Sequence, residues 1–178
     1  MDASDQARET EEIFSFLSRH PVGTISTVSK ENTPSGAIVY LCAHSDLTCF
    51  FATRINTQKC RDIMEQPSVA LTVADDRTLE IVQMRGEAVI LTDADEVRDA
   101  MESLRKIAGK EKQRWMAHPD AVAGGVYGID VSRWVPPIAQ LGSEASVFIK
   151  ITPHWTRFRR YDSDWKTGEK YTEYIISK

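Results

Sequence analysis

The sequence predicts an α+β fold, mainly β, in which consecutive antiparallel strands curl into a barrel flanked by helices. Three observations carry this prediction. Short apolar runs, several with period-two alternation, are separated by turns rich in Ser, Asn, Asp and Pro and recur from Val22 to Leu91. The longest run, residues 78–91, is interrupted by Gly86, which marks a bulge or bend where a sheet curls. Two other segments, near residues 6–19 and 93–108, carry apolar side chains at helical spacing.

Taken in order, Ile13, Phe14, Phe16 and Leu17 form the apolar stripe of a helix that His20-Pro21 ends. Residues 22–28 alternate as a strand, and 29–34 supply its turn. Strands at 35–41 and 47–53 complete an antiparallel meander with short connections. A short helix stopped by Pro67 follows, then strands at 68–74 and 78–91. Asp93 and Glu96 stand at capping-box spacing before Val97, Met101, Leu104 and Ala108, and Gly109 weakens or breaks this helix ahead of a further helical turn at 110–118. Residues 126–131 read as another strand, 135–144 as a loop, and 146–152, 155–161 and 171–176 as closing strands. One domain over 1–178 results, with an N-terminal helix (1–20), barrel strands and short helix (22–91), a helical insertion (93–118) and closing strands (126–178).

At 178 residues, with 42% apolar and 27% charged side chains, the chain can bury a real core without staples. A net charge of -4 argues against non-specific binding to a polyanion, so no nucleic-acid partner is expected and any phosphate site is local. The Arg and aromatic residues of 154–161 fit an edge strand or a dimer contact better than a nucleic-acid surface, because both faces of such a strand carry mixed roles. No run reaches membrane-span length and the acidic start is unlike a signal peptide, so the expectation is a cytoplasmic chain with no membrane partner. Three cysteines make no disulfide framework, and reduced buried thiols are expected. Cys42 and Cys49 would nevertheless lie roughly opposite each other if Ser45-Asp46 is a hairpin tip.

The stretch from Phe50 to Pro67 holds the chemistry. A strand ending near Thr53 passes to a helix for which Thr57 is a good N-cap, and the free N–H groups of that first turn make an anion site by geometry. Arg54, Lys59 and Arg61 crowd this N-terminus, against the helix dipole unless an anion sits among them. Taken alone, the stretch reads first as an ordinary cap beside a solvated loop. Other chemistries lack their patterns. His20, His44, His118 and His154 are scattered without metal-ligand spacing, and no hydrolase elbow, nucleotide-hydrolase phosphate loop or dinucleotide fingerprint occurs.

The order and spacing of Phe16-Leu17-Ser18-Arg19-His20-Pro21-Val22-Gly23-Thr24, Asn32-Thr33-Pro34, Cys49-Phe50-Phe51-Ala52-Thr53, Asn56-Thr57-Gln58-Lys59, Pro67-Ser68-Val69-Ala70-Leu71 and Val82-Gln83-Met84-Arg85-Gly86-Glu87-Ala88 resemble the pyridoxamine 5'-phosphate oxidase-like, FMN-binding split-barrel superfamily. The ending Phe148-Ile149-Lys150-Ile151-Thr152-Pro153 is similar to general-stress-protein members. The resemblance implies a six-stranded antiparallel split β-barrel of Greek-key type and an FMN-dependent oxidoreductase of unknown substrate and electron donor. It also implies a homodimer with the cofactor at the interface. The phosphate would be held by Thr53, Thr57, Gln58 and Lys59, with Ala52 also among the cofactor-binding residues, and the flavin ring would lie beside the backbone of Ala37, Ile38 and Val39 with Gln83 near its edge. Trp155, Arg157 or Arg159 would reach the partner's cofactor. The resemblance leaves the catalytic residues unassigned and implies no metal. Deazaflavin (F420) or haem, or a non-catalytic flavin-binding stress-response module, are the alternatives within the same superfamily. Ala37 and Cys42 stand where the vitamin-processing oxidase carries Arg and Lys, and its substrate-gripping Arg-x-His is not evident, which implies another substrate and weaker flavin affinity.

Overall fold

A computed structural model of the chain describes residues 3–116, 146–161 and 171–177. Its first three strands, β1 (Val22–Val28), β2 (Pro34–Ala43) and β3 (Cys49–Arg54), form the expected meander. In β1 the pleat sends Gly23, Ile25 and Thr27 inward and Val22, Thr24 and Ser26 outward. After α2 (Gln58–Glu65), β4 (Ser68–Asp75) returns beside β1 rather than β3, so the spatial order β4-β1-β2-β3 is a Greek key. β5 (Glu80–Ile90) adds to β4, and β6 (Ser146–Tyr161) pairs with β5 along one edge. The other edge of β6 closes the barrel on β3, from Arg54↔Ser146 to Cys49↔Ile151. β1 to β6 thus form a closed antiparallel barrel, and β7 (Tyr171–Ser177) extends the sheet along the second half of β6.

The interior is filled by Ile25, Leu41, Phe51, Leu71, Val73, Val82, Met84, Ile149 and Phe158. α1 (Ala3–Arg19) adds Ile13, Phe16 and Leu17 to this core, with Phe16 and Phe158 rings 5.8 Å apart, and α2 adds Cys60 and Ile63. α3 (Ala94–Met116) packs outside the barrel, where Ala100 and Leu104 bury Cys42, Phe50 and Phe148. Asp93 caps it, its Oδ1 accepting the N–H groups of Asp95 and Glu96 at 3.0 Å each. The Glu96 carboxylate accepts from Lys150 at 2.6 Å instead of returning to the cap.

Gly86 is the predicted irregularity, and the structure gives its reason. A Cβ there would lie 2.3 Å from the Thr152 carbonyl oxygen, so only glycine lets the two strands approach. The register shifts between Arg85 and Gly86, with Arg85 opposite Trp155 and Gly86 opposite Pro153. This bulge also corrects the separate strands expected at 146–152 and 155–161. Pro153 and His154 lie inside one long strand, because a residue without an N–H is tolerated at a bulge. α3 likewise runs through Gly109, which is exposed with no side chain near it. Cys42 pairs with Phe50 and Cys49 with Ala43, and the two thiols enter different cores, so they do not face each other and remain free. The strand expected at 126–131 and the loop at 135–144 lie outside the described residues.

Candidate phosphate site at the opened sheet

β2 and β3 pair only between Leu41↔Phe51 and Ala43↔Cys49. Beyond that point β2 stays with β1 back to Pro34, while β3 stays with β6 out to Arg54. Continuing the register would set Val39 opposite Thr53, yet no pairing forms there, so the two strands part. The backbone of Ala37, Ile38 and Val39 lines one side of this opening, and Ala52 and Thr53 line the other. Ile38 is 74% exposed, whereas Ala37 and Val39 turn toward the core.

Three of the predicted residues meet at the end of β3. The Lys59 ammonium donates to Thr53 Oγ1 at 3.1 Å, and that hydroxyl lies 3.5 Å from Thr57 Oγ1. Thr57 occupies the N-cap position of α2 as expected, but its side chain does not cap the helix. The hydroxyl donates instead to the Arg54 carbonyl at 2.9 Å, leaving the first turn without a side-chain acceptor. One ammonium, two hydroxyls and an uncapped helix N-terminus therefore converge, a donor set that suits a phosphate.

The other cations of the stretch are arranged differently. Arg61 donates to the Asn56 carbonyl at 2.9 Å and to Gln58 Oε1 at 2.7 Å, so it braces the turn. The Gln58 side chain is thereby held away from the cradle, its amide nitrogen donating to Asp62 Oδ1 at 2.7 Å. Asp62 and Thr27, each 1% exposed, are joined by a 2.6 Å hydrogen bond from the threonine hydroxyl. Sequence reading passed over both. The available signal was an acidic residue beside Cys60 and Ile63 on the buried stripe of a short helix.

Gln83 is not brought to this cradle. It faces outward on β5, separated from β2 by β1 and β4, about 14 Å away at the usual ~4.8 Å between strands. There it accepts a hydrogen bond from Arg157, and Trp155 lies between Arg157 and Arg85, whose guanidiniums are 5.7 and 4.6 Å from its ring centre. Arg159 pairs with Glu173 at 2.5 Å. Cys42, where the resemblance expects a lysine, is buried under α3, and that burial pushes its thiol up to about 12. A cleft of about 460 Å³ lies between α1 and β6, away from the opening. Its charges neutralise each other, with Arg160 only 2.8 Å from Glu12 and 3.6 Å from Glu80. Among the described residues there is no three-ligand metal cluster, and no helix is long and apolar enough to cross a membrane.

The sequence pattern that defines pyridoxamine 5'-phosphate oxidases matches residues 9–159, which takes in the barrel and both sides of the opening. The chain belongs to the pyridoxamine 5'-phosphate oxidase family. Within this family it is similar to the pyridoxine/pyridoxamine 5'-phosphate oxidase of Ehrlichia chaffeensis, 36% identical over 74 residues. That match covers 40% of this chain and only 37% of the Ehrlichia enzyme. Among solved structures it resembles General Stress Protein 26 of Bacillus anthracis (TM-score 0.56, 18% identity, covering 85% of this chain and 93% of that one). It also resembles a protein related to general stress protein 26 from Clostridium acetobutylicum (TM-score 0.59, 13% identity, 96% of each chain). At these identities the likeness to the solved structures is one of fold. Family membership agrees with the split-barrel topology reached from the strand pairing.

Proposed function

We propose that this member of the family binds FMN at the opening between β2 and β3 and serves as a flavin-dependent oxidoreductase. The observation that carries the reading is the cradle of Lys59, Thr53 and Thr57 at the uncapped start of α2. A phosphate there would receive the Lys59 ammonium and both hydroxyls, and the parted backbone of Ala37, Ile38 and Val39 would run beside the ring. FMN, when bound, supplies hydride or electron transfer, while the protein binds, orients and shields it from water. Gln58 contributes its position in the first turn rather than its side chain, and Gln83 lies on the same outer face as Ile38, across β1 and β4 from it, where it accepts from Arg157.

The same reading takes the working unit to be a homodimer. Supporting it is the outer face of the barrel, where small side chains Thr24, Ser26, Ala70 and Thr72 lie between the exposed Ile38 and the Gln83–Arg157 pair. A flat surface can approach such a face closely. Native protein is expected to show flavin absorbance, or to quench added FMN fluorescence at one site per chain, and reduced nicotinamide should bleach the bound flavin. Binding without bleaching by any donor points to a flavin-binding module, and preferential binding of F420 or haem over FMN sinks the FMN assignment.

A further inference from the structure

Three cations stand near the start of α2, and Lys59 directs its charge at Thr53 while Arg61 braces the turn. The division follows from a hydrogen-bond chain with fixed polarity. Arg61 is donor-only, so Gln58 must present Oε1 to it and turn its NH₂ the other way. That NH₂ donates to one oxygen of Asp62, and the Thr27 hydroxyl donates to the other at 2.6 Å. Asp62 thus meets a donor at each of its two oxygens, an arrangement that a carboxylate accepts and an amide does not. It is 1% exposed, and no basic side chain pairs with it among the described residues. Among the described residues, this buried acceptor is held by its two side-chain donors.

We propose that Asp62 is the positioning residue of the phosphate site. Through Thr27 it fixes α2 to β1, and through Gln58 and Arg61 it fixes the first turn of α2, so that Thr57 and Lys59 are held against Thr53. It touches neither ligand nor reacting atoms. This role rests on the FMN-phosphate reading above and deepens it.

In Asp62→Asn at least one buried N–H or O–H is left without its acceptor. If the new NH₂ faces Gln58, two N–H groups confront each other, and Gln58 cannot turn because Arg61 holds its oxygen. If it faces Thr27, the buried hydroxyl proton loses its acceptor. The test compares FMN with riboflavin, which lacks the phosphate, by fluorescence quenching of the full-length protein. Asp62→Asn is expected to weaken FMN about tenfold, the equivalent of one hydrogen bond, while leaving riboflavin unchanged. Thr27→Val, which removes the other end of the anchor at nearly constant shape, is expected to give the same phosphate-selective loss and serves if the first variant does not fold. Equal loss for both ligands, or no loss in either variant, overturns the positioning role. Wild-type protein that binds FMN no better than riboflavin overturns the phosphate site itself, and the role of Asp62 with it.

Discussion

Lys59 aims its ammonium at the Thr53 hydroxyl of the cradle, and its contribution can be read directly. Lys59→Ala removes a charge-assisted contact and is expected to weaken FMN by about 1.5–3 kcal/mol, ten- to hundredfold, with folding stability almost unchanged. Isothermal calorimetry beside a thermal melt checks both halves. The cysteines give a prediction of a different kind. Burial raises the Cys42 thiol from its ordinary 9.0 to about 12, and burial raises Cys49 further. Above pH 9 the unfolded chain sheds thiol protons that the folded chain keeps, so the unfolded state binds fewer protons and stability falls as pH rises from about 9 towards 12. Denaturant titrations across that window should show the decline, and it should be smaller in Cys42→Ala. At this scale the sequence was partly legible. Thr53, Thr57 and Lys59 stood out because a strand end, a cap residue and a cation fell together in one short stretch. The direction of the Gln58 side chain did not, because it depends on Asp62 and on Thr27, which lies 35 residues from Asp62 and meets it only in the folded barrel.

The element that most constrains the barrel is the β5–β6 pair with its bulge. Gly86→Ala would push a methyl group into the Thr152 carbonyl, which is backbone and cannot swing aside. A loss of about 1–3 kcal/mol, or a protein that does not accumulate folded, is the expected result in urea unfolding. α3 offers a contrasting test, since Leu104 is fully buried in its own cluster against Phe50 and Phe148. Leu104→Ala should cost about 2–5 kcal/mol while leaving the preference for FMN over riboflavin intact, because α3 meets none of the cradle side chains in that cluster. Gly86 was readable in the sequence as a break in a long run. Pro153 misled for a physical reason: a proline ends a strand unless a bulge in its pairing removes the need for its N–H, and here His154 is the extra residue opposite Arg85 and Gly86 of a strand remote in sequence. Gly109 misled similarly, because a glycine with a modest helix cost is carried when the helix around it is anchored by Val97, Ala100, Met101 and Leu104.

For the whole molecule, the meander of β1, β2 and β3 was legible because its connections are short, whereas the Greek-key return of β4 to β1 was implied only by the family resemblance. What local pattern could not give was where β2 and β3 part, a long-range property of a closed barrel in which β3 must also serve β6. The proposed dimer belongs to this scale. Ile38→Asp places a charge on a 74% exposed isoleucine, which a monomer tolerates and a packed interface does not. Sedimentation equilibrium should find wild-type dimers and variant monomers, and identical masses would remove Ile38 from any interface. The measurement that bears most directly on the central claim is a side-by-side titration of wild-type and Lys59→Ala protein with FMN and riboflavin. Tight FMN binding by the wild type, lost at least tenfold in the variant with riboflavin unaffected, is the expected result. Indifference of FMN affinity to Lys59, or no flavin binding at all, would contradict a phosphate site between Thr53 and Lys59.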